Sequence, residues 1–133
     1  MATSTYGLSF ARERAVNAYR QSRVETASPG ELVLMLYDQA LKDMRDAASF
    51  IEQKDIVKSS ERLLHAQAIV DELRGSLDFS AGEIASKFRA MYDFVYGKLV
   101  EANVKKAAPP IFDAEKVVVE LRAGWEEALR RHG

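Results

Sequence analysis

The side chains able to do chemistry are few: two histidines, His65 and His132, and no cysteine. Thiolate catalysis, disulfides and cysteine-held zinc or iron–sulfur clusters are thereby excluded. A carboxylate-bridged metal pair inside a helical bundle needs Glu-x-x-His pairs, because each metal draws oxygen and imidazole ligands from facing helices. Here Glu61 precedes His65 by four residues rather than three, and His132 is the penultimate residue. No metal or cofactor site is expected. A Ser–His–Asp triad would have to use His65, and neither a glycine-flanked serine nor an oxyanion loop accompanies it. A solvent-facing histidine midway along a bundle helix can also carry a phosphoryl group, and Lys58, Glu61, Arg62 and Glu72 share the expected face of His65. The run His65-Ala66-Gln67-Ala68 lacks the small basic-glycine signature that admits a phosphotransfer partner. The expectation is a non-enzymatic protein with an ordinary surface histidine. A histidine phosphotransfer or other signalling bundle centred on His65 is the alternative.

The elements that would position such groups are helices. Ser28-Pro29-Gly30-Glu31 combines an N-cap, a proline at the first helical position and the glutamate of a capping box. From there Val33, Tyr37, Ala40, Met44, Ala47 and Ile51 recur at spacings of three and four, and the helix should end near Glu52–Lys54. Asp55 caps a second helix with Ile56, Leu63, Ala66, Val70, Leu73 and Leu77 on its seam. Ser80-Ala81-Gly82-Glu83 repeats the capping-box pattern and opens a third, with Ile84, Phe88, Met91, Val95, Leu99 and Ala102. Pro109 and Pro110 are expected to stop any continuation, and Asp113 to start a last helix whose seam is Ala114, Val118, Leu121, Trp125 and Ala128. Short links between long helices favour antiparallel neighbours. The expected fold is therefore all-α, an antiparallel four-helix bundle with a short N-terminal helix or segment over residues 10–24.

Composition agrees with one bundle domain over residues 15–133, preceded by a polar leader over 1–14. The 133 residues are 47% hydrophobic and 29% charged, and 19 Lys+Arg against 20 Asp+Glu leave a net charge of -1. That balance gives no pull toward nucleic acid. No apolar run approaches the roughly 18 residues of a membrane span, so no membrane insertion is expected. The apolar surface exceeds what one core needs. Leu32, Val33, Leu34, Met35, Leu36 and Tyr37 are consecutive, so Leu32 and Met35 point away from the seam at about 100° per residue. In the third helix Tyr92 and Tyr96 flank the seam on one side and Phe94 on the other. Either these residues pack beneath the N-terminal segment or the 104–113 loop, or they line a groove for an amphipathic helix, with methionine as adaptable filler and tyrosine as anchor.

Several blocks resemble the flagellin-specific export chaperones, the FliS family: AYRQSRVETASPGELVLMLYDQAL at Ala18–Leu41, LLHAQAIVDELRGSLDF at Leu63–Phe79, GEIASKFRAMYDFVYGKLVEAN at Gly82–Asn103, and LRAGWEEAL at Leu121–Leu129. The resemblance implies a small cytoplasmic bundle without cofactors. It would bind the disordered C-terminal segment of flagellin in hydrophobic grooves, prevent premature polymerisation and support delivery to the flagellar type III export apparatus. Exposed grooves can support a homodimer when the client is absent. Family members carry apolar residues in a short N-terminal segment that contribute to flagellin recognition, and these correspond by position to Val16 and Tyr19. With the surplus apolar residues, the expected partner-binding set is Val16, Tyr19, Leu32, Met35, Leu36, Tyr92 and Tyr96. The chain departs from the family pattern in its longer leader, the single glycine at Gly82 and the Lys105–Phe112 connection with its two prolines.

Overall fold

The computed structural model describes residues 27–77 and 82–132, and it is an all-α four-helix bundle. The helices are α1 (Pro29–Glu52), α2 (Ile56–Gly75), α3 (Glu83–Lys105) and α4 (Pro109–His132). The short N-terminal helix expected over 10–24 lies outside the described residues, as does the leader. Helix α1 begins as its capping box dictates: the Ser28 hydroxyl accepts from the Glu31 amide at 3.2 Å, and the Glu31 carboxylate accepts from the Ser28 amide at 2.8 Å. Past the last turn Lys54 takes a left-handed conformation (φ 62°) that reverses the chain within three residues. Asp55 then caps α2 by accepting from the Lys58 amide at 3.1 Å.

Three local expectations change. In α2 the core stripe starts at Ser59, not Ile56, which is exposed. The Ser59 hydroxyl satisfies itself by donating to the Ile56 carbonyl at 3.0 Å, and a small hydroxyl so bonded can be buried at low cost. The capping box expected from Ser80 falls outside the described residues. The N-cap of α3 is Gly82 at φ 70°, with no side-chain cap. Ile84, one position into that helix, is exposed, and Ala85 and Tyr92 join Val95, Leu99 and Ala102 in the core, with Phe88 and Met91 half-buried beside them.

The third change is at the double proline. Helix α4 starts at Pro109 rather than Asp113. The first-turn amides of a helix have no intrahelical acceptor, so two prolines there forfeit nothing, and their fixed φ is already helical. The link from α3 shrinks to Lys106–Ala108, with Lys106 left-handed at φ 54° and the Ile111 amide bonded to the Ala108 carbonyl at 2.8 Å. Ile111 thereby enters the core. At the far end Ala128 is exposed, and half-buried Leu129 instead packs against Gly30.

Each helix packs against its sequence neighbours, and α4 returns against α1 to close a ring. Antiparallel order is visible in the cross-links between α1 and α4: Trp125 Nε1 donates to the Gly30 carbonyl at 2.9 Å, Arg122 pairs with Asp38, and Arg45 with Glu115. As one helix ascends in number, its partner descends. The centre is filled by Tyr37, Met44, Leu63, Ile69, Val70, Val95, Leu99 and Ile111, and among the described residues no buried side-chain nitrogen or oxygen lacks a hydrogen-bond partner. Arg74 ties α2 to α3 by donating to Asp93 at 2.8 Å, which holds the Asp93 carboxyl below the usual carboxylate range.

Candidate partner-binding surface

Of the seven residues expected to bind a partner, Val16 and Tyr19 lie outside the described residues. Leu32 and Leu36 are half-buried on α1, and Leu36 also packs against the core. Met35 is 7% exposed although it stands outside the core cluster. It sits on the α1 face turned away from Tyr37, Ala40 and Met44, as the helical period requires. Ala68 on α2 is in the same situation, buried without belonging to the core. Tyr96 is half-buried beneath the Arg74 guanidinium, 4.7 Å from its ring centroid.

Tyr92 is a correction. It is a core residue rather than an exposed anchor, its hydroxyl 2.7 Å from that of Tyr37. Burial, ahead of any other cause, pushes both phenols above their ordinary range. Two tyrosines can enter this core because one hydroxyl donates to the other. The sequence held a hint: Tyr37 is on the α1 seam, and a buried tyrosine requires a polar partner.

His65 is a second correction. It is not a surface histidine: its side chain is only 16% exposed, and Nδ1 lies 2.5 Å from Oδ2 of Asp43, whose side chain is 0% exposed. Gln39 Nε2 donates to the other carboxylate oxygen at 3.1 Å, and Arg62 Nη1 stands 3.9 Å from it. Asp43 was missed as a site residue. The legible signal was that Asp43 and His65 each stand eleven residues from Lys54 in the α1–α2 turn, so an antiparallel hairpin brings them level. Among the described residues no group of three or more His, Asp and Glu side chains is arranged to hold a metal ion.

The apolar surface open to solvent is elsewhere. Arg74 meets Asp93 and Tyr96 across the α2–α3 seam, so about ten residues further along each antiparallel helix Leu64 comes level with Val104. These two are 54% and 76% exposed, and Val57 on α2 and Val100 on α3 are exposed as well. Phe94, with Lys98 Nζ 5.6 Å from its ring centroid, faces α4, and Phe112 and Val119 are exposed on α4 itself. Four large apolar side chains on two adjacent helices exceed the scattered single residues of an ordinary surface.

A sequence profile described as "Flagellar protein FliS" matches residues 12–132. The chain belongs to the FliS family. A FliS relative named "Flagellar secretion chaperone FliS" from Bacillus subtilis is 40% identical over 121 residues, covering 87% of this chain and 90% of the relative. The FliS protein of Salmonella typhimurium, under the same name, is 34% identical over 118 residues, 84% of this chain and 87% of its own. That of Vibrio cholerae is 27% identical over 118 residues. The FliS match spans all four helices, so the Asp43–His65 and Tyr37–Tyr92 pairs both lie inside the family region. No described helix of this FliS family member is long and apolar enough to cross a membrane.

Proposed function

We propose that the protein is a cytoplasmic export chaperone that binds the disordered C-terminal segment of flagellin, keeps it from polymerising prematurely and supports its delivery to the flagellar type III export apparatus. Family membership supports the class of activity. The observation that carries the binding mode is apolar surface distributed around the bundle outside its core: half-buried Leu32 on α1, and exposed Leu64 with Val57 on α2, Val100 and Val104 on α3, Phe112 and Val119 on α4. Ordering a disordered segment costs several kcal/mol, about 2–5, and a segment that wraps several faces offsets this by burying a large area. Flagellin helices would lay their apolar stripes on these strips, with Leu32, Met35, Leu36 and Tyr96 among the contacts. In the free protein the segment 10–24, through Val16 and Tyr19, would shield Leu32 and Met35 and be displaced by flagellin. Without flagellin the same surfaces would support a homodimer.

Calorimetric titration of the full chain with the flagellin C-terminal segment at two temperatures tests the reading. Saturable binding with a negative heat-capacity change is expected from apolar burial. Absence of heat at both temperatures, with unchanged elution on a sizing column, would overturn it. Leu64→Asp and Val104→Asp should each weaken binding by about 1 kcal/mol or more while leaving thermal stability unchanged, because both side chains are already exposed.

A further inference from the structure

We infer that Asp43 and His65 are positioning residues for the partner-binding surface: their contact sets the spacing and axial register of α1 against α2, and with it the relative placement of Met35 and Ala68 on the outer faces of these helices. The inference rests on the reading that the outer face of α1 receives flagellin.

Burying a carboxylate is unfavourable, and an apolar side chain of similar volume would pack at least as well in its place. Asp43 nevertheless has no exposed side-chain surface, and its oxygens face the His65 imidazole, the Gln39 amide and, less closely, the Arg62 guanidinium. What such a cluster supplies that apolar packing does not is direction. A shift of one residue along the axis displaces a helix by about 1.5 Å, which apolar contacts tolerate and a 2.5 Å contact between Nδ1 and a carboxylate oxygen does not. Arg62 reinforces the tie by lying 3.9 Å from Asp46, one turn further along α1.

The location gives this register a use. Gln39 and Met35 stand one and two turns before Asp43 on α1, and Ala68 stands one turn after His65 on α2. Met35 and Ala68 are the buried apolar residues of these turns that do not belong to the core cluster. The pair therefore ties α1 to α2 within two turns of the outward-facing Met35 and Ala68. If the helices slid or parted at Asp43, Met35 and Ala68 would lose their relative placement, and a segment docked along them would lose its fit.

The test separates position from bulk stability. Asparagine carries an amide nitrogen close to where histidine carries Nδ1, so His65→Asn preserves the bond to Asp43 and His65→Ala removes it. The chain has no cysteine, so Lys42→Cys and Glu61→Cys on the exposed faces of α1 and α2 accept spin labels uniquely. Distances between the labels, and calorimetric affinity for the flagellin C-terminal segment, are measured in the full chain at a temperature where circular dichroism shows every variant folded. His65→Ala should broaden or shift the label distance and weaken binding about tenfold, and His65→Asn should return both to within about threefold of the parent. A folded His65→Ala protein with unchanged distances and affinity, or a His65→Asn protein as impaired as the alanine variant, would overturn the inference. If His65→Ala does not fold, His65→Gln replaces it with the same expected loss, since its amide reaches past the Nδ1 position. Should the parent itself fail to bind the segment, the functional reading falls, and the label distances still decide whether the pair sets the register.

Discussion

Removing one hydroxyl from the Tyr37–Tyr92 pair should cost more than removing both. Both rings lie in the core and their oxygens are 2.7 Å apart, each the other's partner. Tyr37→Phe leaves the Tyr92 hydroxyl desolvated and unbonded, a penalty of about 1–3 kcal/mol, and Tyr92→Phe does the same to Tyr37. In the double variant two apolar ring edges face each other across the gap, no polar group is stranded, and the loss should stay below about 1 kcal/mol apart from a small void. The cycle should therefore return a coupling of at least about 1 kcal/mol. Urea unfolding followed by far-UV circular dichroism measures it, provided the slope stays constant across the four proteins. Additive single effects would refute the reasoning, because they would mean that water reaches the orphaned hydroxyl. An alkaline arm adds a second check. Burial raises both phenols in the folded protein, whereas in the unfolded chain they titrate near 10. Above that pH the native state retains protons that the unfolded state has released, so stability falls as pH rises, with a limiting slope of about 1.4 kcal/mol per pH unit per retained proton. Replacing both by phenylalanine should flatten that decline.

Two glycines offer opposite outcomes in the same assay. Gly75 is helical with nothing within 4 Å of a added Cβ, so Gly75→Ala should stabilise by about 0.5–1 kcal/mol. Gly82 is equally unobstructed but sits at φ 70°, so Gly82→Ala should destabilise by about 1–2 kcal/mol through backbone strain alone; equal effects would mean that the chain before α3 relaxes freely. At Gly30 a Cβ would stand within van der Waals overlap of Leu129 Cδ2. Gly30→Val should cost about 1–3 kcal/mol, and much of that loss should disappear in a Leu129→Ala background. Fluorescence of Trp125, the sole tryptophan, reports on this contact directly, and an unchanged unfolding midpoint would show that Leu129 swings clear.

Local chemistry made α1 and α2 readable almost to the residue. Their caps are side-chain hydrogen bonds, and Ser28, Glu31 and Asp55 carry those bonds in their own types. Where a boundary depended on context, reading failed. Pro109-Pro110 looks the same whether it ends one helix or starts another, and what decides is Ile111, whose burial rewards an early start to α4. The apolar excess on α1 and α3 was legible in amount but not in destination. Tyr92 and Met35 both flank a seam; the first is drawn inside by a hydroxyl on another helix, a pairing of residues 55 apart that periodicity does not encode. His65 failed for the same reason. Its neighbours on α2 made it look solvated, and its true partner is on α1.

The ring closure of the bundle orders events during synthesis. Contacts between α1 and α2, and then between α2 and α3, join segments that leave the ribosome in succession, whereas Gly30 meets Trp125 and Leu129 only after about a hundred further residues have been made. Until then the flank of α1 that α4 will cover, with Asp38 and Arg45 still lacking Arg122 and Glu115, stays open. A nascent chain arrested before Trp125 would present that flank to any holding factor in the cell, and release of the last helix would be the step that ends its vulnerability.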